Sequence, residues 1–568
     1  MIRDVLEKSI KTALWSLKIE ESKVSKINLE HPEELTHGDY SSNIAMVLAK
    51  QVSQNPRELA EKIVAEILER KPKELLKAEV AGPGFINFYL SPEFFILQTK
   101  EVLKVESKFG LNKNLKGEKT VIEYTDPNPF KEFHIGHLMS NSIGEAIARI
   151  TEANGAKVIR ACYQGDVGLH VAKAIWGMKN IIGNIKEASD LGKAYMLGST
   201  SYERDERIKR EIIEINKEIY NHSNKEVEKL YKSGRKISLK YFESMYKIFG
   251  TKFDNYFFES ETGDFGKKIV EENIGKIFER GDNNSVIFRG ENYGLHTRVF
   301  INSEGLPTYE AKELGLAKIK FNKTKYNKSI VITGNEINEY FKVLLKAMSF
   351  VFPELAAKTV HLSHGMLRLP DGKMSSRTGD VITAISLLND VKMKVLEKMD
   401  GRGMTKKEKE QVAEKVAVGA LKYSILKQVN GKDIIFDFDK SISFEGDSGP
   451  YLQYSYVRAR SILRKAKEEK IKKIDWKKFS NKNEVLALEK ILYRFREVVE
   501  RAGNEYSPHY IATYLVELAS SFNSFYALGK IVDKNEDESS YKVALTEAFS
   551  IVIKEGLNLL GIEVPEKM

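Results

Sequence analysis

Three consecutive segments constrain the middle of this chain more than anything else in it. Thr120–Asp126 (TVIEYTD) is rich in β-branched residues and runs into the breaker DPNPF. HIGHLMSNSIGEAIARITEANG then has helical spacing and stops at Gly155, and Lys157–Asp166 (KVIRACYQGD) reads as a strand again. Strand, helix and strand over about 45 residues make one βαβ unit, the building block of a parallel sheet with helices on its faces. Strand-like runs return at Ser285–Arg289, Thr297–Ile301 and Ser329–Thr333, with helices predicted over Thr308–Ala317 and Tyr340–Phe352. The sheet is therefore expected to resume after an insertion, which the highly charged, helically spaced residues near 200 to 250 supply.

Around this core the chain divides by pattern. Two amphipathic stretches, Val5–Leu17 and Ser42–Leu68, and a turn-plus-strand at Ala81–Leu90 predict a small α+β unit at the start. From about Ala413 onward the pattern is almost wholly helical. The expected fold is multidomain: an N-terminal α+β domain over 1–112, an α/β Rossmann-type domain over 113–440 with an insertion at about 177–284, and an all-α helical domain over 441–568. A length of 568 residues suits three or four domains. The single cysteine, Cys162, excludes an intrachain disulfide framework and any multi-cysteine zinc site. No apolar run approaches the roughly 18–20 residues of a membrane span. MIRDVLEKSIKTALWSLKI interrupts its apolar pattern with Asp4, Glu7 and Lys8, as an amphipathic helix does and a signal peptide does not. A cytoplasmic protein with no membrane partner is expected. The net charge of +10 is compatible with a nucleic-acid partner, and Arg458–Lys478 holds ten Lys or Arg against three acidic residues.

Two motifs carry chemistry. His134-Ile135-Gly136-His137 stands at the strand-to-helix turn, where free backbone N–H groups and the helix dipole meet anions. Its imidazoles can bond phosphate oxygens, and Gly136 lets a base or sugar approach the backbone. The same His-x-x-His spacing is also half of a metal site. More than 200 residues later, Gly372–Asp380 (GKMSSRTGD) is a glycine-bracketed loop carrying Lys373, Ser375, Ser376 and Arg377. Cations on such a loop can close on a polyphosphate and stabilise charge developing at phosphorus.

In this order the motifs resemble the HIGH and KMSKS signatures of class I aminoacyl-tRNA synthetases. Longer blocks resemble the arginyl-tRNA synthetases: HGDYSSNIAM, AGPGFINFYL, EYTDPNPFKEFHIGHLMSNSIGEAIAR, LGKAYMLGS, LPTYEAKELG, HGMLRLPDGKMSSRTGDVIT, FEGDSGPYLQYSYVRARSILRKA and GLNLLGIEVPEKM. The resemblance implies a ligase that activates L-arginine with ATP and transfers it to the 2′-hydroxyl of the terminal adenosine of tRNA(Arg). It implies Mg²⁺ carried on the nucleotide rather than a protein-held metal, and a monomer. By the same resemblance the amino-acid pocket falls on Glu123, Asn128, Tyr309 and Glu313. Guanidinium is a planar, always-charged fork of donors that a carboxylate can pair bidentately. ATP contacts fall on Asn128, His134, Gly136, His137, Met374, Ser375 and Ser376. The catalytic set is His134, His137, Lys131, Lys373 and Arg377, and tRNA contacts fall on Tyr451, Gln453, Tyr454 and Arg458.

The chain departs from the family pattern in four places. Glu313 stands where Asp is usual, Asp126 where Ser is common, and Gly334-Asn335-Glu336-Ile337 at a strand end that often carries Gln. Ser376 replaces the KMSKS lysine, and Lys131, just before HIGH, is where a compensating cation is expected. Two alternatives stand beside the ligase: a class I enzyme for another amino acid, and a non-catalytic tRNA-binding paralogue.

Overall fold

The βαβ unit is present as β1 (Lys119–Glu123), the helix Ile135–Ala153 and β2 (Lys157–Gln164). The structure is a computed structural model that describes residues 2–20, 22, 24, 27–181, 185–368, 383–399, 404–479 and 484–568. Three further strands, β3 (Asn255–Phe258), β4 (Lys328–Gly334) and β5 (Thr359–His364), complete a five-stranded sheet. All its pairings are parallel, in the order β5-β4-β1-β2-β3. The order reverses between β1 and β4, and in such sheets a crevice opens there, beyond the carboxyl ends of the strands. Glu123 ends β1, Gln164 ends β2 and Glu259 follows β3, so these side chains start at that rim.

Two expectations change. Asn255–Phe258 lies inside the stretch predicted as insertion, yet pairs with β2 as an edge strand. Four residues following a long charged helix are too short a run to separate by pattern. The connection from β2 to β3 is filled by helices that include Ala188–Arg204, Glu206–Asn221 and Lys225–Ile248. Second, Val286–Phe288 and Arg298–Ile301 do not enter the main sheet. With Glu279–Arg280 they form a separate antiparallel sheet. Only the SIVIT run returns to the core, and it alone shows a continuous buried stretch, as strands covered on both faces do.

The signature helix Ile135–Ala153 is buried along most of its length, including the polar Ser140, Asn141 and Ser142. Gly144 makes that possible. A Cβ there would lie 2.2 Å from the Tyr124 ring.

Segments 111–454, 498–514 and 556–568 form one compact unit, and 1–110, 455–497 and 515–555 form another. In the second unit, Phe85–Leu90 is the central strand of an antiparallel sheet with Tyr40–Ser42 and Leu75–Ala81. Its core includes Tyr493, which packs edge-on against Phe94 and Phe95 at ring distances of 5.3 and 5.6 Å. The N-terminal segment thus shares its core with part of the C-terminal helical region, which sequence pattern assigns to a different domain.

Candidate active site

Beyond β1 the backbone is strained. Thr125, Asp126 and Phe130 adopt φ of 79°, 42° and 68°, a region that costs energy for residues with side chains. Hydrogen bonds hold them there. Thr125 N–H donates to Ser140 Oγ (2.9 Å), whose hydroxyl donates to the Ile332 carbonyl (3.0 Å). Phe130 N–H donates to Ser238 Oγ (2.8 Å), and Asp126 Oδ1 accepts from Tyr163 N–H (2.7 Å). Lys131 follows, half-buried, its ammonium 4.6 Å from the centre of the Tyr195 ring.

His134 caps the signature helix in an extended conformation. Its N–H donates to Nδ1 of His137 (3.2 Å), and the two rings stack at 3.5 Å. Burial first, and Lys131 second, pushes the His134 imidazole down to about 4. Burial, His134 and Lys131 hold His137 well below the ordinary histidine range. Both rings are therefore neutral at pH 7. With Nδ1 of His137 accepting, its proton sits on Nε2, which becomes its one donor to an anion. A Cβ on Gly136 would come within 3.0 Å of the His134 ring. The phosphate-loop residues Lys373, Met374, Ser375, Ser376 and Arg377 lie outside the described residues. Just past them, Thr383 bridges His134, and Ala384 N–H donates to the Phe133 carbonyl (2.9 Å), which ties that flank to the signature.

Four carboxyl groups face one another at the rim, and two are already neutralised. Lys320 donates to Glu123 Oε2 (2.7 Å), with the two side chains 4% and 1% exposed. Lys312 donates to Glu259 Oε2 (2.6 Å). Asp126 and Glu313 have no cation within 4 Å among the described residues. Burial, then repulsion by Glu123, pushes both carboxyls well above the usual carboxylate range, with Asp126 and Glu259 adding to the effect on Glu313. Among the described residues the pocket thus holds two carboxyls with no protein cation beside them.

Asn128 stands against Gly165, where a Cβ would come 2.3 Å from its Oδ1 and 3.2 Å from Glu259 Oε1. The structure thus brings Asn128 beside this carboxyl group. Tyr309 begins the helix Tyr309–Thr324, 60% exposed, its ring 5.3 Å from the Lys312 ammonium, so it sits at the pocket's edge rather than inside it. Lys320, Lys312 and Glu259 escape sequence reasoning. The available signal was register: Glu313, Leu316 and Lys320 share one helical face, and two ionisable groups on a buried stripe are unusual. Asp166 was also missed. Fully buried, it accepts from Tyr231 OH (3.1 Å), Arg235 Nε (2.9 Å), Ser260 N–H (2.9 Å) and Ser260 Oγ (2.8 Å), and so ties the insertion to the rim.

Among the residues expected to meet RNA, Tyr451 and Tyr454 are half-buried, and Arg458 donates to Asn523. Gln453 is a correction. It is fully buried and its amide donates to the Lys415 (3.1 Å) and Glu563 (2.7 Å) carbonyls, so it packs the protein and does not present a face to RNA. Its neighbours in sequence alternate between half-buried and buried positions, which residue type alone does not reveal. Among the described residues no helix is long and apolar enough to cross a membrane.

Comparison with known proteins agrees with this architecture. Residues 98–438 match the family "tRNA synthetases class I (R), catalytic domain", 452–568 the "DALR anticodon binding domain" and 4–90 the "Arginyl tRNA synthetase N terminal domain". An arginine–tRNA ligase of Clostridium acetobutylicum is 32% identical over 95% of this chain and 96% of its own length. One from Phocaeicola vulgatus is 30% identical over 94% and 95%. The Thermus thermophilus arginyl-tRNA synthetase structure shares the fold with a TM-score of 0.81 at 24% identity, each chain covered in full. The Plasmodium falciparum enzyme does so at 0.78 and 20%, over 100% of this chain and 99% of that one. With its parallel sheet, its signature helix and family matches along most of its length, the chain belongs to the arginyl-tRNA synthetases of class I.

Proposed function

We infer that the chain is an arginine–tRNA ligase, which activates arginine with ATP and charges tRNA(Arg). The observation that carries the substrate is the charge deficit of the pocket. Among the described residues Asp126 and Glu313 are two carboxyls with no cation within 4 Å, and arginine brings two cationic groups, the α-ammonium and the guanidinium. In the proposed arrangement Glu313 pairs with the guanidinium fork, Asp126 and Asn128 take the α-ammonium, and Tyr309 closes over the guanidinium from the edge. Glu123, held by Lys320, completes the carboxyl wall. Lysine lacks the fork and would leave Glu313 imperfectly paired, which discriminates strongly in a desolvated site.

In the proposed first step the arginine carboxylate attacks the α-phosphate of ATP, giving arginyl-adenylate and pyrophosphate. The donor set suits an anion: neutral imidazole N–H groups on His134 and His137, a helix start and the Lys131 ammonium. Asn128 and Gly136 would flank the nucleotide, with Met374, Ser375 and Ser376 as further contacts. Lys373 and Arg377 would join Lys131 in neutralising the triphosphate. Mg²⁺, brought with the nucleotide, supplies further neutralisation of phosphate charge. These groups act by positioning and charge stabilisation, with no covalent enzyme intermediate. In the second step the 2′-hydroxyl of the tRNA's terminal adenosine attacks the activated carbonyl and releases AMP. Tyr451, Tyr454 and Arg458 are proposed on the RNA side, and the enzyme is proposed to act as a monomer in the cytoplasm.

The charge argument is tested by thermal shift with arginine and with citrulline, its uncharged near-isostere. Arginine should raise the melting temperature and citrulline should not. Equal shifts would contradict the role of the carboxyls.

A further inference from the structure

The helix Lys225–Ile248 has two unlike faces. Val227, Tyr231, Gly234, Ser238, Phe242 and Met245 are buried. On the opposite side Lys225, Lys229, Lys232, Lys236, Lys240 and Lys247 are all exposed. Their spacing of four, three, four, four and seven residues follows the helical repeat, so they form one straight ridge. At 1.5 Å per residue the ridge runs about 33 Å. A solvated helix face usually mixes its charges, and the preceding helix Glu206–Asn221 does so. This ridge does not. Its one acidic member, Glu243, is bonded by Tyr256 OH (2.5 Å). The other acids of the helix are also engaged, Glu226 by Lys179 (3.2 Å) and Glu228 by His222 and Lys232 (both 2.9 Å). Lys225, Lys229, Lys236, Lys240 and Lys247 have no acidic partner within 4 Å among the described residues.

The buried face is fastened to the signature loop. Phe130 N–H donates to Ser238 Oγ (2.8 Å), the Phe130 ring stacks on Tyr231 at 6.2 Å, and Phe133 packs on Phe242 at 6.4 Å and Tyr246 at 6.3 Å. The ridge is thus a rigid rod in fixed register with Lys131 and His134.

We propose that this lysine ridge is a docking rail for the phosphate backbone of the tRNA that the enzyme charges. A line of ammonium groups along a rod neutralises a line of phosphates without reading bases, which is how sequence-independent affinity is built. The chemistry of a single line of cations, five of the six with no acidic partner within 4 Å among the described residues, fits a polyanion, and the arginine–tRNA ligase reading supplies that polyanion. The proposal rests on that reading for the identity of the RNA.

The test is a full-length variant carrying Lys229→Glu, Lys236→Glu and Lys240→Glu, all on exposed positions and none in the site. A control variant reverses Arg207 and Lys217 on the charge-balanced helix. Affinity for a tRNA(Arg) transcript is measured between 50 and 200 mM salt, together with arginine- and tRNA-dependent pyrophosphate exchange. The ridge variant should bind tRNA at least about tenfold more weakly. Its log-affinity should depend on log salt with a slope smaller by about two to three, near one unit per lost phosphate contact. The control should match the wild type. Wild-type-like affinity and salt slope in the ridge variant would overturn the rail and leave an acidic protein or a membrane as the partner class. If the wild type itself fails to use arginine, the ligase reading fails instead.

Discussion

At the scale of single residues, the pocket trades stability for recognition. Asp126 and Glu313 hold protons more tightly folded than unfolded. A carboxyl raised in the folded state contributes stability below its unfolded value and loses it as pH rises through the folded one, so at neutral pH both weaken the ligand-free fold. Glu313→Gln should therefore raise the melting temperature of the free protein while raising the KM for arginine about 30-fold or more, the cost of losing one charged partner. The KM for ATP should change far less; equal loss of both would remove Glu313 from the guanidinium site. In the wild type the KM for arginine should rise as pH falls, because both raised carboxyls protonate above the range where ordinary ones do. In the sequence Glu313 stands out only through the resemblance of its surrounding block to a known family; by residue type and spacing alone it reads as a surface helix acid. The cations that silence Glu123 and Glu259 were not legible there, since a lysine in a helix reads as exposed until packing shows it buried.

Elements carry a different kind of information. The βαβ unit was readable because its patterns are long and its ends are punctuated. The strand Asn255–Phe258 and the separate antiparallel sheet were not, because a strand pattern reports a half-buried pleat and not its neighbours. The close fit of the insertion to the signature loop is equally invisible from sequence. Gly234 allows it: a Cβ there would fall 2.1 Å from Phe130 Cε1. Gly234→Ala should cost about 1–3 kcal/mol in chemical denaturation, the usual cost of overpacking, and should slow pyrophosphate exchange by displacing the residue before Lys131. Phe130→Leu in the same chain should restore part of both. Simple additivity of the two changes would argue that the contact is not the cause.

On the scale of the whole molecule, sequence pattern separates an N-terminal domain, a catalytic domain and a helical domain, whereas the compact units recombine them. The chain's last residues show why. Lys422, fully buried on the helix Lys406–Leu426, donates to the carbonyls of Phe249 (2.6 Å) and Gly561 (2.8 Å) and so fixes the closing segment to the catalytic unit. Burial, with Arg149 adding to it and Glu145 and Glu563 opposing it, pushes its ammonium down to about 7. Between pH 7 and 10 the unfolded chain keeps a proton that the folded one has lost, so this residue makes stability rise with pH. Lys422→Met should flatten that rise and, at pH 9, cost about 2 kcal/mol through two unsatisfied carbonyls. An unchanged pH profile would contradict the assignment. The claim beneath all of this is that a carboxyl-walled pocket beside the signature helix selects arginine for activation. Pyrophosphate exchange with each of the twenty amino acids, with and without tRNA, tests it most directly. The account predicts exchange with arginine alone; exchange driven by any other amino acid, or by none, would contradict it.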